Sequence, residues 1–239
     1  MRVDWKDIGE EAVPTSGLLQ DQISLASDAF EFESSSESTT SFKVGSLKTH
    51  VEFWSNSVQA SDFIISTIVD GYKIPFFDLP TSYAIPNRSS AFKFKDFVNE
   101  AISELIERGC VMEVDILPVF INPLHVVQQS SGKCRLISDL SYLSNFVWKQ
   151  SVRYEDSRTV FDVFQSGYLV FTFDLKSGHH HVEIFPDHRQ YLGFSWRFDF
   201  GVKCFVFSVL PFGLSSAPYI CTKLVRALRS EERRVGKEC

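Results

Sequence analysis

An ionised carboxylate at the end of a buried apolar strand is costly unless something compensates it. Asp174 occupies that position, closing the run Leu169–Leu175 (LVFTFDL). Two readings are open: the side chain caps the following turn, Lys-Ser-Gly, or it is a hard-metal ligand on a rigid strand with backbone carbonyls beside it. Lys133 and Arg135 stand two residues apart, hence on one face of a strand. A lysine point charge beside an arginine fork suits a triphosphate; a solvated surface pair is the plainer alternative unless other groups converge there. LPFGLSSAP, Leu210–Pro218, joins a strand to a helix. Gly213 would let a ligand approach the backbone closely, and Ser215 or Ser216 would cap a helix whose N-terminus faces an anion; a plain strand-to-helix turn explains it as well. His179, His180 and His181 invite a metal reading. In a strand His179 and His181 would share a face with His180 pointing away, and no third ligand stands at a suitable spacing. Phe205, Phe207 and Phe212 are read as core.

The elements that position these residues are legible from periodicity. Val51 to Ile68 predicts short helical pieces ending at Gly71, followed by a proline-rich extended connector (IPFFDLPTSYAIPNRSS). Phe97, Val98, Ala101, Ile102, Leu105 and Ile106 form one helical stripe, with Ser89 or Ser90 as N-cap and Gly109 as C-cap. Leu124–Gln129 and Cys134–Leu140 flank a polar, glycine-bearing turn and predict a β-hairpin. Leu169–Leu175, His181–Phe185, Tyr191–Phe194 and Lys203–Val209 read as strands, and a helix is expected from Ser216 to about Leu228. Helix, hairpin, strand, hairpin, strand, helix is an α+β order.

Composition bounds the function. The 239 residues suffice for a substantial core, and no run of about 18 apolar residues occurs. The acidic start, MRVDWKDIGEEAVP, has no apolar segment of a secretory signal. Five cysteines, an odd and widely spaced set without a CxxC pair, argue against a disulfide framework or zinc site. An intracellular, cytoplasmic or nuclear location without membrane association is expected. Residues 1–45 hold nine acids against three bases and so carry the whole net charge of −6. With the low-complexity stretch SSSESTTS, they predict a disordered acidic tail. The remainder is neutral, which leaves nucleic-acid binding open.

Taken in order, NPLHVVQQSSGKCRLISDLSYL, FTFDLKSGHHHV and LPFGLSSAP resemble the reverse transcriptase domain of retroelements. The detail is most similar to Gypsy and DIRS-like retrotransposons. HVEFWSNSVQASDFIISTIVDGYKIPF likewise resembles the lead-in of DIRS-like polymerase regions, so the resemblance spans about Ser46 to Leu228. It implies the fingers and partial palm of a right-hand polymerase over residues 46–228. The implied activity is RNA-directed DNA synthesis, with nucleotidyl transfer from a dNTP to a primer 3'-hydroxyl on a primer–template, assisted by two Mg²⁺ ions. By resemblance Asp174 matches the first palm carboxylate and the Leu175 carbonyl a backbone metal ligand. Arg135 matches the fingers arginine on the triphosphate. Ungapped register puts Gln128 where the family has a lysine, though Lys133 would reach from the turn. Phe212 and Gly213 match the segment lining the nucleotide pocket and template. His179 stands where the family has the Tyr or Phe that guards against a ribose 2'-hydroxyl.

Two departures shape the expectation. No Tyr-x-Asp-Asp hairpin follows LPFGLSSAP, and one carboxylate supplies too little charge for two divalent ions, so activity is expected of a full-length parent rather than of this chain. The alternatives are a catalytically dead nucleic-acid-binding remnant and a non-functional fragment. Arg229–Cys239 (RSEERRVGKEC) abandons the apolar stripe of Ile220, Leu224 and Leu228 for seven charges in eleven residues. It resembles a translated sequencing adapter and is expected to be foreign to the fold.

Overall fold

The computed structural model describes residues 44–152, 154 and 177–235. Nearly all of the acidic tail, the strand expected at Leu169–Leu175 with Asp174 and Leu175, and the last four residues lie outside the described residues. What is described is mixed α+β. Short turns at Lys48–His50 and Phe53–Ser57 lead to helix α1, Asp62–Asp70. Gly71 ends it at φ +95, where a Cβ would meet the Phe185 backbone nitrogen at 2.7 Å, so only glycine fits. The connector then runs extended, as its prolines require, apart from the two-residue strand β1, Tyr83–Ala84.

The expected helix is split into α2, Ser89–Lys93, and α3, Lys95–Glu107, which carries the whole apolar stripe. Val98, Ala101, Ile102 and Leu105 are buried, while Ile106 is exposed. Gly109 closes α3 at φ +72, with its N–H on Ile106 O (2.9 Å) and the Cys110 N–H on Leu105 O (2.8 Å). The start differs from expectation. Arg88 occupies the N-cap of α2 without a side-chain capping bond. The Ser90 hydroxyl is engaged elsewhere, accepting from the Val126 N–H at 3.1 Å.

Strands β1, β2 (Val111–Val114), β3 (Phe120–Ile121), β6 (Gly193–Phe198) and β7 (Gly201–Phe207) form one sheet in the order β1-β3-β6-β7-β2. β1, β3 and β6 are parallel; β6, β7 and β2 are antiparallel. β4 (Leu124–Gln128) and β5 (Cys134–Ser138) form a separate two-stranded hairpin, matching the expected one closely. The core lies where α3 and the sheet's aromatic face meet, with Phe120, Phe194, Trp196 and Phe205 almost fully buried. Helix α4, Ala217–Val235, closes the described fold and runs past Leu228 into the charged end, beyond the boundary expected from its stripe. Among the described residues no helix is long and apolar enough to cross a membrane.

Three expectations are corrected. His179–His181 form a 3₁₀ turn, Gly178–His181, and not a strand. The stretch up to Phe185 contributes only single bridges, Tyr72↔Ile184 and Glu183↔Val209, because Pro186 starts a second 3₁₀ turn. The strand expected at Tyr191 begins at Gly193, where a Cβ would stand 2.6 Å from Phe120 O and 2.5 Å from Pro118 Cβ.

Candidate functional site: where a hairpin meets a glycine turn

Antiparallel register sorts the hairpin into two faces, because directly opposed residues point the same way. Leu124↔Ser138, Val126↔Leu136 and Gln128↔Cys134 share one face. Its inner residues, Leu124, Val126, Leu136 and Ser138, are buried. His125↔Ile137 and Val127↔Arg135 share the other. Alternation carries that second face on to Asp139 at one end and Lys133 at the other. Lys133 and Arg135 therefore keep the common face expected of them. Gln128 does not join them: it points from the opposite face, exposed, and its Nε2 donates to Gly132 O at 3.3 Å. Of the two positions considered for the family's lysine, Lys133 shares the face of Arg135 and Gln128 does not.

The turn Leu210–Leu214 abuts the base of this hairpin. Gly213, at φ +92, brings its backbone so close that a Cβ would lie 3.3 Å from Ser138 O. Phe212 is half-buried, with its ring 4.5 Å from that of His179 and 5.4 Å from that of His180. The 3₁₀ turn, the glycine turn and the hairpin are thus brought together from three distant segments. Ser216, by contrast, is fully buried and its hydroxyl makes no capping bond, so the expected serine cap is not formed there. Asp174 and Leu175 lie outside the described residues.

Electrostatics divide the histidines. His180 is buried, its Nδ1 is 3.6 Å from Cys110 Sγ, and burial pushes its pKa down to about 3. Burial pushes the Cys110 thiol up to about 12. Both shifts favour the neutral forms, which excludes a thiolate–imidazolium pair; this is core packing. Asp139 moves the other way. Burial works against its charge, but Ser141 donates from both hydroxyl (2.5 Å) and backbone (3.1 Å), His125 and Arg88 add attraction, and together they hold the carboxyl below its usual range.

His125 and Asp139 were not singled out in the sequence, although period-two counting from Arg135 through the turn reaches both. Among the described residues no group of three or more His, Cys, Asp or Glu side chains could hold a metal ion, and Asp139 is already engaged by Arg88 and Ser141. The metal ligands expected from the sequence, Asp174 and the Leu175 carbonyl, are not among them. No protein-family model matches this chain, and no curated protein does either.

Proposed function

We propose that this chain carries the fingers and part of the palm of a retroelement reverse transcriptase, and that its cleft takes primer–template and an incoming dNTP. The observation that supports this best is that the Phe212–Gly213 turn meets both the β4–β5 hairpin, at Ser138, and the His179 turn, from segments thirty or more residues apart in the chain. Arg135 and Lys133 form the basic edge that receives the triphosphate, by fork and by point charge. Gly213 gives backbone access to the nucleotide, and the His179 ring, held against Phe212, stands beside the sugar. In a full-length parent Asp174 and the Leu175 carbonyl would hold Mg²⁺, which would supply the charge that activates the primer hydroxyl.

Fluorescence anisotropy of a labelled RNA–DNA primer–template, titrated with the chain in the presence of Mg²⁺ and the matching dNTP, tests this reading. The expected result is saturable binding that the dNTP tightens, with the dNTP effect lost in Arg135→Gln. No binding, or the same dNTP response from both proteins, overturns it. Binding without any dNTP response favours a nucleic-acid-binding remnant.

A further inference from the structure

We propose that the basic outer face of the β4–β5 hairpin docks the acidic segment of this same chain, residues 7–42, which thereby competes with an incoming triphosphate. The competition rests on the reading above; the docking does not. Charge is the first support. Between Asp7 and Phe42 stand eight carboxylates and no lysine or arginine, and four of the eight fall between Asp28 and Glu37. A block so one-sided repels itself and is drawn to cations. Several cations of the fold are already committed: Lys48 and Arg189 share Glu183, Arg88 holds Asp139, Lys95 holds Asp199 and Lys203 holds Glu113. Lys133 makes no ion pair among the described residues, and it shares its face with Arg135. The one acid on that face, Asp139, is engaged at the far end by Arg88 and Ser141.

The second support is that the match extends beyond charge. Val127 stands opposite Arg135 on the outer face, exposed, with Ile137 half-buried beside it. The stretch DAFEFE interleaves Phe30 and Phe32 with Asp28, Glu31 and Glu33. A face that is apolar and cationic meets a segment that is aromatic and anionic. The third support is reach. A Cβ on Gly109 would lie 3.8 Å from the Val44 side chain, where the described chain takes over from the acidic segment. From there a line of direct contacts leads to the hairpin. Cys110 Sγ is 3.6 Å from His180 Nδ1, the His180 ring is 5.4 Å from that of Phe212, and a Cβ on Gly213 would lie 3.3 Å from Ser138 O. Arg135 follows three residues along β5, about 10 Å away. Counted back from Val44, Asp28 is separated by a stretch that spans up to about 50 Å when extended, so chain length does not limit the contact.

Carbodiimide coupling of the full chain, read by mass spectrometry, tests the docking without any nucleotide, because the reagent joins a carboxylate to an ammonium only where the two already meet. Lys133 should couple to Asp28, Glu31, Glu33 or Glu37 in several-fold higher yield than Lys93 and Lys223, which likewise make no ion pair among the described residues. Arg135→Gln should lower that yield, and about 1 M NaCl, which screens within about 3 Å, should abolish the excess. Inorganic tripolyphosphate then probes the competition. Neutralising the four acids together (Asp28→Asn, Glu31→Gln, Glu33→Gln, Glu37→Gln) should tighten its binding about 2- to 10-fold at low salt and leave it unchanged at about 1 M NaCl, the scale of displaced surface ion pairs. Equal coupling at the three lysines, or a tripolyphosphate affinity that neutralisation does not move, overturns the inference; the proposed function still stands if Arg135→Gln weakens tripolyphosphate binding. Coupling focused on Lys133 with no tripolyphosphate bound by either protein supports the docking and overturns the competition together with the triphosphate reading.

Discussion

The described residues form two β-hairpins of similar length with opposite economies. In β6–β7 both strands are flanked, by β3 and by β2, and the side chains of Phe194, Trp196, Phe205 and Phe207 are buried. The Phe194 and Phe205 rings face each other across the ladder at 5.2 Å. Among the described residues β4–β5 has two strands, one face is buried, and the other carries His125, Arg135 and Asp139 half-buried. A two-stranded hairpin alone is marginal in water. This one is anchored through side chains, Asn87 and Ser90 satisfying β4 N–H groups that no strand reaches. Asn87 also donates to Ser195 O at 2.8 Å, tying the hairpin to β6. One hairpin holds the fold, and the other presents chemistry from a face the core does not need.

The sharpest way to break this contrast is to truncate equivalent positions. Trp196→Ala removes a buried ring that also donates to Asn99 Oδ1 at 2.8 Å, and should cost about 3–5 kcal/mol. Val127→Ala, on the exposed face of β4, should stay within about 0.5 kcal/mol. Urea unfolding of both variants measures the difference, and comparable losses would erase the distinction. Arg135→Gln should do the reverse of Trp196→Ala, weakening dNTP binding by about 1.5–3 kcal/mol while leaving the urea midpoint in place. Isothermal titration beside the unfolding curve separates the two effects.

Acid gives a third contrast. Because His180 has a folded pKa near 3, the unfolded chain takes up its proton first. Its contribution is fully present above about pH 6.5 and is lost as the pH falls from there toward 3, by at most about 1.4 kcal/mol per pH unit. Burial of His125 and His188 acts in the same direction. Urea midpoints at pH 7 and pH 5 should therefore separate, and His180→Gln should narrow the gap. An unchanged gap would mean that the burial of His180 carries no such linkage. Smallest is Ser90→Ala, which strips the acceptor from the Val126 N–H and should cost about 1 kcal/mol. Hydrogen exchange should then rise at Val126 and its neighbours in β4 while β6–β7 stays protected.

Much of this division is written in local patterns. The stripe of α3, the cap at Gly109 and the ends of β4–β5 follow from period and turn chemistry, which neighbours along the chain decide. What escaped depends on partners far away. β1 and β3 are two residues each, too short to show alternation, and exist because Tyr83 and Ala84 pair with Phe120 and Ile121. The three histidines alternate like a strand on paper, yet His180 is pulled inward against Cys110 and Phe212. The loss of the Ser90 cap arises from the demand of a strand thirty-six residues on. Lys133, Arg135 and Gly213 were legible as chemistry-bearing types, Phe212 read as core, and the approach of Gly213 to Ser138 needed the fold. His125 was missed because its signal is a register across a turn, not a motif.

The central claim is that the basic hairpin face and the glycine turn border a metal-dependent nucleotide site reached by Asp174. Titrating ¹⁵N-labelled chain with Mn²⁺ in the presence of a dNTP tests it most directly, since the ion broadens resonances according to proximity. The account predicts selective broadening at Arg135, His179, Phe212 and Gly213, little effect at the β6–β7 turn around Phe200, and loss of the pattern in Asp174→Asn. Broadening centred elsewhere, or the same pattern surviving Asp174→Asn, would contradict it.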